Sequence, residues 1–388
     1  MYISCSTERK ILEIPEDGES IIAGYWSPER GMCYQPVLLK WKDCKVTFLK
    51  SISRLESYPQ PLLKWNSYFL LPGWLDAHVH LALDSLDFYQ CLENWAQPSL
   101  IEDNIKVYLK RYLERGIVAI RDGGDLPGFS WKAKNKVKEG VWPGPKVISV
   151  HEAVGRAGMY GRFLGRGFKD LLDWREKEID FFDQGLDQLK VIVTGIIRFD
   201  DFRRVGPTQW TVEELSELVE AAHERGIHVM AHVSGEEGIP LSIAAGVDSI
   251  EHGYYMTTRD LEQMREKSIA WVPTVAPIGN ILKYPSDRYS PHEIGTLKRI
   301  LETHQAKIYE AYRLNVRLGV GTDAGAYQVP HAESLYDEME WMVQTGIPKL
   351  EVYRMTTHEN ARIFGRPELG RLDVGTPMNQ LQLVKTLL

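Results

Sequence analysis

The sequence predicts an α/β protein: a (β/α)8 barrel of the TIM type, with a small β-sandwich-like domain built from the N- and C-terminal segments. Three observations predict it. Across 71–365, short apolar runs alternate with amphipathic helical patterns, which implies a parallel sheet buried on both faces. Eight such units fit this stretch, as a barrel with some long loops requires. The flanking segments, 1–70 and 366–388, show no strong helical period and read as strands that join each other. A doubly wound open sheet is the alternative, but no GxGxxG follows a strand.

In order along the chain, VLLKWKDCKVTFLK (37–50) reads as short strands, and PQPLLKWNSYFL (59–70) as a proline-marked turn into another. The barrel strands are expected at 74–83, 116–122, 146–150, 188–195, 227–233, 247–252, 269–275 and from Gly319 on. Between them lie helices such as TVEELSELVEAAHERG, with Thr211 as N-cap and Gly226 just past the end. A longer one is LKRILETHQAKIYEAYRLNVRLG. The tail GRLDVGTPMNQLQLVKTLL returns to strand texture.

A chain of 388 residues suits one large barrel plus appendages, or two to three domains. With 46 basic and 53 acidic residues the net charge is −7, the wrong sign for broad nucleic-acid binding. No apolar run is long enough to span a bilayer, and the charged N-terminus does not read as a secretion signal. Cys5, Cys33, Cys44 and Cys91 have no patterned spacing, which fits reduced thiols in a cytoplasmic protein. The partner expected is a small-molecule substrate, with neither nucleic acid nor membrane; homo-oligomerisation is left open.

The chemistry starts at His78-Val79-His80. Among 11 histidines an HxH tripeptide is weak alone. Period-2 alternation, however, puts both imidazoles on one face of the first barrel strand, where they can converge on a cation. Lys190 lies inside an apolar run, in a strand expected to be buried, where an unpaired ammonium is costly. Deprotonated there, it can add carbon dioxide to give a carbamate with two oxygens. His232 and His252 end the fifth and sixth strands, and Asp323 ends the eighth. His228 shares parity with His232 but lies a full four residues deeper, so it is assigned to packing. The HxH, the lysine, the two histidines and the aspartate each fall at the C-terminal end of a different strand, the face on which barrel active sites are assembled. Nitrogen and oxygen ligands without cysteine suit zinc, with manganese, nickel or iron as alternatives.

Here the sequence resembles the amidohydrolase superfamily of metal-dependent hydrolases. Leu71-Pro-Gly-Trp-Leu-Asp-Ala-His-Val-His80 is similar to its first-strand signature, and GVDSIEHG (246–253) and GTDAG (321–325) to later ones. AAHERGIHVMAHVSG and MTTHENARIFG resemble segments of the imidazolonepropionase-related group, which points to a dipeptidase-like branch with a carboxylated lysine. The resemblance implies two divalent ions, Zn2+ first among candidates. His78 and His80 would hold the more buried ion with Asp323, and His232 and His252 the more exposed one. N-carboxylated Lys190 would bridge them. A bridging hydroxide is then the nucleophile and Asp323 takes its proton. Asp76 would orient a ligand or pack. Two departures stand out. The deaminase branches carry a glutamate three residues after the fifth-strand histidine, where this chain has Gly235, with Glu236 and Glu237 nearby. Met378-Asn379-Gln380 replaces the usual Ala-Asp pair before the last strand.

The leading function is hydrolysis of an amide or peptide C–N bond in a dipeptide or N-acyl amino acid. Alternatives are a mononuclear enzyme that opens a cyclic amide or deaminates a heterocycle, a lactonase or phosphotriesterase, and a non-catalytic scaffold. His151, at the end of the third strand, is a second candidate base. The loop 151–167 holds Arg156, Arg162 and Arg166 among glycines. Arg156 or Arg162 is expected to fork onto a substrate carboxylate, with Tyr160 as wall or hydrogen-bond donor.

Overall fold

The computed structural model describes residues 2–5, 10–52 and 63–385. The proline-marked turn expected at 59–62 lies outside them. The N-terminal strands are β1 (Tyr2–Cys5), β2 (Lys10–Glu13), β3 (Gly18–Ser27), β4 (Gly31–Cys33), β5 (Val37–Lys42), β6 (Lys45–Ser51) and β7 (Leu63–Pro72). The barrel-side strands are β8 (Trp74–Val79), β9 (Ile117–Asp122), β10 (Lys146–Ser149), β11 (Gln188–Ile192), β12 (His228–Val233), β13 (Ser249–His252) and β14 (Ala270–Val272). The last strand is β15 (Leu381–Val384).

The chain ends share one sheet, in the order β2-β1-β15-β7-β3-β5-β6, with β4 on the edge of β3. The C-terminal strand therefore sits between β1 and β7, held by Leu383 opposite Leu70. One face buries Ile22, Leu39, Trp41, Val46, Trp65 and Leu383, and Trp41 stacks on Trp65 at 5.4 Å. A Cβ on Gly18 would lie 2.3 Å from that Trp41 ring, so the site demands glycine. The described strands of the two chain ends form a single eight-stranded sheet, in place of the expected sandwich-like pair. At one end Trp26, Leu71 and Val384 merge with the large core instead, where Tyr353 meets Trp26 and Trp74.

Seven of the eight expected barrel strands form parallel ladders, β10-β9-β8 and β11-β12-β13-β14. Every residue of β8 and β11 is buried, as a sheet covered on both faces requires. Helices intervene as the periodicity predicts. Thr211 caps Val212–His223 in a capping box with Glu214, and Gly226 follows at φ 68°. The long pattern is the helix Pro291–Arg313, capped by Ser290.

The eighth expected strand is instead an extended, glycine-rich segment at 317–324. On one side Trp271 N–H donates to Arg317 O and Gly319 N–H to Trp271 O, both at 2.8 Å. On the other, Asp323 N–H donates to His78 O at 2.7 Å and His80 N–H to Ala324 O at 2.8 Å. Glycine lets the backbones approach: a Cβ on Gly321 would sit 2.6 Å from Val272 Cγ1 and 2.7 Å from His78 N. At the other seam Asp187 N–H donates to Ser149 O, and Val154 exchanges bonds with Lys190 O and Ile192 N–H.

Asn360, fully buried, locks the 317–324 segment to β8. Its amide donates to Leu75 O and Val320 O, both at 2.7 Å, and accepts from Val320 N–H at 2.9 Å. Asn360→Leu removes the Asn360 partner of Leu75 O and of Val320 N–H, while Val320 O still accepts from Ala77 N–H, so it is expected to cost about 2–5 kcal/mol. Urea denaturation of the two proteins measures it; a change under 1 kcal/mol, on the order of a single net hydrogen bond, contradicts this role.

Candidate metal centre

Strand register sets the site. On β8, Asp76 and His78 point to the same face, and His80 continues that parity just past the strand. Ile192 pairs with His232, and Val233 with His252, so the ends of β11, β12 and β13 lie at one level. His252 and Asp323 leave strand geometry with φ of 66° and 59°. These left-handed turns aim both side chains at the site rather than at the face that alternation alone assigns.

The donor atoms converge. His78 Nε2 lies 3.3 Å from His80 Nε2, and Asp323 Oδ1 lies 3.5 and 3.4 Å from the two. These three residues present ligand atoms within 4.8 Å of one another. Lys190 Nζ approaches His78 Nε2 at 3.4 Å. The His252 ring is 5.0 Å from that of His78 and 4.5 Å from that of His232. All six ligand candidates thus gather at one place.

Their electrostatics suit cations. Burial holds His78, His232 and His252 well below the usual histidine range and lowers His80 to about 3, so the imidazoles are neutral and their lone pairs are free. Lys190 is wholly buried and has no ion pair among the described residues; burial lowers its amine to about 8. Burial raises Asp323 to about 7. Neutral imidazoles beside a carboxyl group and an amine of lowered basicity are nitrogen and oxygen donors of the kind divalent ions take. The donor set therefore fits one or two divalent ions.

A buried polar layer supports the ligands. Asp76 accepts from the Thr322 N–H at 3.0 Å and hydroxyl at 2.8 Å, tying β8 to the segment that carries Asp323. Glu251 meets His78 Nδ1, and Thr274 meets His252 Nδ1. Sequence analysis did not single out Glu251, Thr274 or Arg121. Arg121 carried a readable signal, a lone cation inside the apolar run of the second strand, as Lys190 did in the fourth.

Above the ligands opens a cavity of about 240 Å³. His80, His232, His252 and Asp323 form its polar floor, and Phe88, Tyr160, Phe163, Phe199, Tyr254 and Tyr327 contribute aromatic walls. The Tyr160 ring lies 5.4 Å from that of His232.

Several expected residues are placed elsewhere. His151 turns away at φ 64° and packs edge-on against Trp131 at 5.3 Å, outside the cavity lining. Arg156 does not reach the cavity. Its guanidinium binds Gln209 O, Lys169 O and Glu214 and covers the Trp210 ring at 4.5 Å, so it braces its own loop. Arg162 is exposed and is not part of the lining, and Arg166 pairs with Glu152. Carboxylate recognition by Arg156 or Arg162 therefore has no support in the geometry. Glu236 and Glu237 are exposed at the start of the helix Gly235–Ala245, with Glu236 paired to Arg203, so neither replaces the deaminase glutamate. His228 lies deeper, beside Gly365.

This fold and site define a metal-dependent hydrolase with a TIM-barrel-type fold. The chain belongs to the amidohydrolase family, whose sequence profile matches residues 69–379. As a member of that family it is a hydrolase acting on carbon–nitrogen bonds. In sequence it is 24% identical to ochratoxinase of Aspergillus niger over 358 residues, covering 83% of this chain and 73% of the relative. In structure it is similar to a Xaa-Pro dipeptidase with methionine bound in its active site, with a TM-score of 0.76 and 20% identity over 92% of each chain. The crystal structure of the A. niger ochratoxinase matches with a TM-score of 0.75 and 21% identity, over 93% of this chain and 88% of that one. No helix among the described residues is long and apolar enough to cross a membrane.

Gly123 tests the packing of the ligands. A Cβ there would lie 2.5 Å from His80 Cε1. Gly123→Ala is expected to displace that imidazole at a cost of about 1–3 kcal/mol and to lower the bound metal per chain. Elemental analysis beside thermal denaturation checks it; full metal content at wild-type Tm contradicts it.

Proposed function

We propose that the protein hydrolyses an amide or peptide bond at a binuclear centre, in a small substrate of the dipeptide or N-acyl amino acid type that carries a large apolar or aromatic group. The observation that carries this reading is one cavity with an imidazole and carboxylate floor beneath aromatic walls. On this reading the two parallel ladders and the 149–154 and 317–324 segments form one (β/α)8 barrel over 71–365. Segments 1–70 and 366–388 make the small β domain beside it.

His78, His80 and Asp323 would hold one ion, and His232 and His252 the other. Lys190 would hold both as its N-carboxylate: the neutral amine bonds to the carbon of CO2 and one proton is released. The buried amine, which has no ion pair among the described residues and approaches His78 Nε2, supports this assignment. Two divalent ions in such a site acidify a shared water and polarise a carbonyl. Asp323 stands beside both imidazole nitrogens, where its carboxylate can take the proton of the attacking water and return it to the leaving nitrogen. The aromatic walls exclude bulk water and position the apolar part of the substrate. The 24% identity to ochratoxinase supports amide hydrolysis.

Elemental analysis of protein purified without chelators is expected to find about two divalent ions per chain; one would favour the mononuclear alternative. Lys190→Ala is expected to lose most activity and weaken at least one ion, with partial rescue by short carboxylic acids. Wild-type turnover in that variant rules the carbamate out. Asp323→Asn should fold normally and lose about 10²–10⁴-fold in kcat. A loss under about tenfold moves the base elsewhere.

The cavity lining contains no lysine or arginine. N-benzoylphenylalanine and N-benzoylphenethylamine share an amide bond and a phenyl ring but differ by one carboxylate. Their kcat/KM values are expected to agree within about tenfold, since no buried cation is left unpaired when the carboxylate is removed. A larger preference for the acid restores carboxylate recognition.

A further inference from the structure

Two histidines of the proposed centre, His78 and His252, one from each ion position, are backed by unlike partners, while His80 Nδ1 has none among the described residues. Behind His78 stands a carboxylate, with Glu251 Oε2 2.8 Å from Nδ1. Behind His252 stands a neutral hydroxyl, with Thr274 Oγ1 2.7 Å from Nδ1. The difference matters. An ionised carboxylate can only accept, so it holds the proton on Nδ1 and leaves the His78 Nε2 lone pair for a cation. A hydroxyl can donate or accept, so it does not enforce that tautomer.

Glu251 is itself clamped. Arg121 Nη2 donates to both its oxygens, at 2.7 and 2.8 Å, and Ser249 Oγ donates to Oε1 at 2.6 Å. Arg121 also donates from Nε to Ala77 O at 2.6 Å, and from Nη1 to Gln188 Oε1 at 3.2 Å and Ser249 Oγ at 3.0 Å. Glu251 is 0% exposed and Arg121 1%. A buried ion pair is a poor source of stability, because a well-packed apolar pair of similar volume is often as stable or more so. Its position directly behind a ligand histidine points to another role.

We propose that the Arg121–Glu251 pair is a positioning device that makes the His78 ion position the tight one. The position served by His252 and Thr274 is the loose one, and the two ions load in sequence. This rests on the binuclear reading above.

Metal-stripped wild type, Glu251→Gln, Ser249→Ala, Thr274→Val and the double variant Arg121→Met with Glu251→Met are titrated with Zn2+ against a chromogenic chelator. The wild type is expected to show two dissociation constants at least about tenfold apart. Glu251→Gln is expected to raise the tighter one by about 10–100-fold and leave the weaker within about threefold. Thr274→Val is expected to raise only the weaker. Ser249→Ala, which leaves no charge unpaired, is expected to raise the tighter by several-fold and decides the matter if Glu251→Gln does not fold. The double variant is expected to lose the tight constant while the weaker stays within about threefold; a purely structural pair predicts that both constants move together. Both constants moving together, or neither moving, in Glu251→Gln and Ser249→Ala overturns the proposal. A wild type that binds a single Zn2+ overturns the binuclear reading instead.

Discussion

Lys190 places an amine where water does not reach and where no carboxylate among the described residues forms an ion pair with it. Leaving an ammonium in that position is costly, and the neighbouring imidazoles add no negative charge. Asp323 is the only ligand candidate with an acidic group, and it too is pushed toward its neutral form. The arrangement is expensive as a set of bare side chains and becomes reasonable once it encloses cations. The rest of the site can be read as support for that cluster.

The support is layered. Backbone bonds from His78 O and Ala324 O fix the loop that carries Asp323, and Asp76 and Asn360 hold the same segment from below. Glycines stand where a Cβ would strike a ligand or its strand, at Gly123 and Gly321. Asp122 accepts from the Leu81 and Gly124 N–H groups, joining the loops after β8 and β9. Such buried hydrogen-bonded networks are rigid, and rigidity keeps ligand atoms within coordination range.

The cavity above has a different character. Its walls are aromatic and aliphatic, and its polar groups lie almost wholly on the floor. The arginines of the 151–167 loop spend their hydrogen bonds within the protein: Arg156 on Glu214 and carbonyls, Arg166 on Glu152. That loop still shapes the cavity, because Tyr160, Phe163 and Leu164 line it. On the proposed reading, selectivity would fall to shape and apolar contact and reactivity to the floor.

Much of this was legible along the chain. Alternating periodicity located seven parallel strands, and the capping pattern at Thr211 located a helix boundary, because both follow from local burial and hydrogen bonding. The residue types His78, His80, Lys190, His232, His252 and Asp323, each in or just after an apolar run, were likewise visible. Three things were not. The eighth strand position is held by glycine-mediated approach and by Asn360, a residue 40 positions from Val320. Glu251 and His252 are adjacent in sequence, yet both serve the site, because a positive φ at His252 cancels the alternation that separates neighbours on a strand. The loop arginines look like substrate ligands until their partners are known. In each case the deciding contact joins residues far apart in the chain, or depends on one backbone dihedral, and neither leaves a periodic trace. The sequence determined which chemical groups are present and which apolar runs they interrupt or follow; only the tertiary structure decided their partners, because pairing depends on distances that folding alone creates.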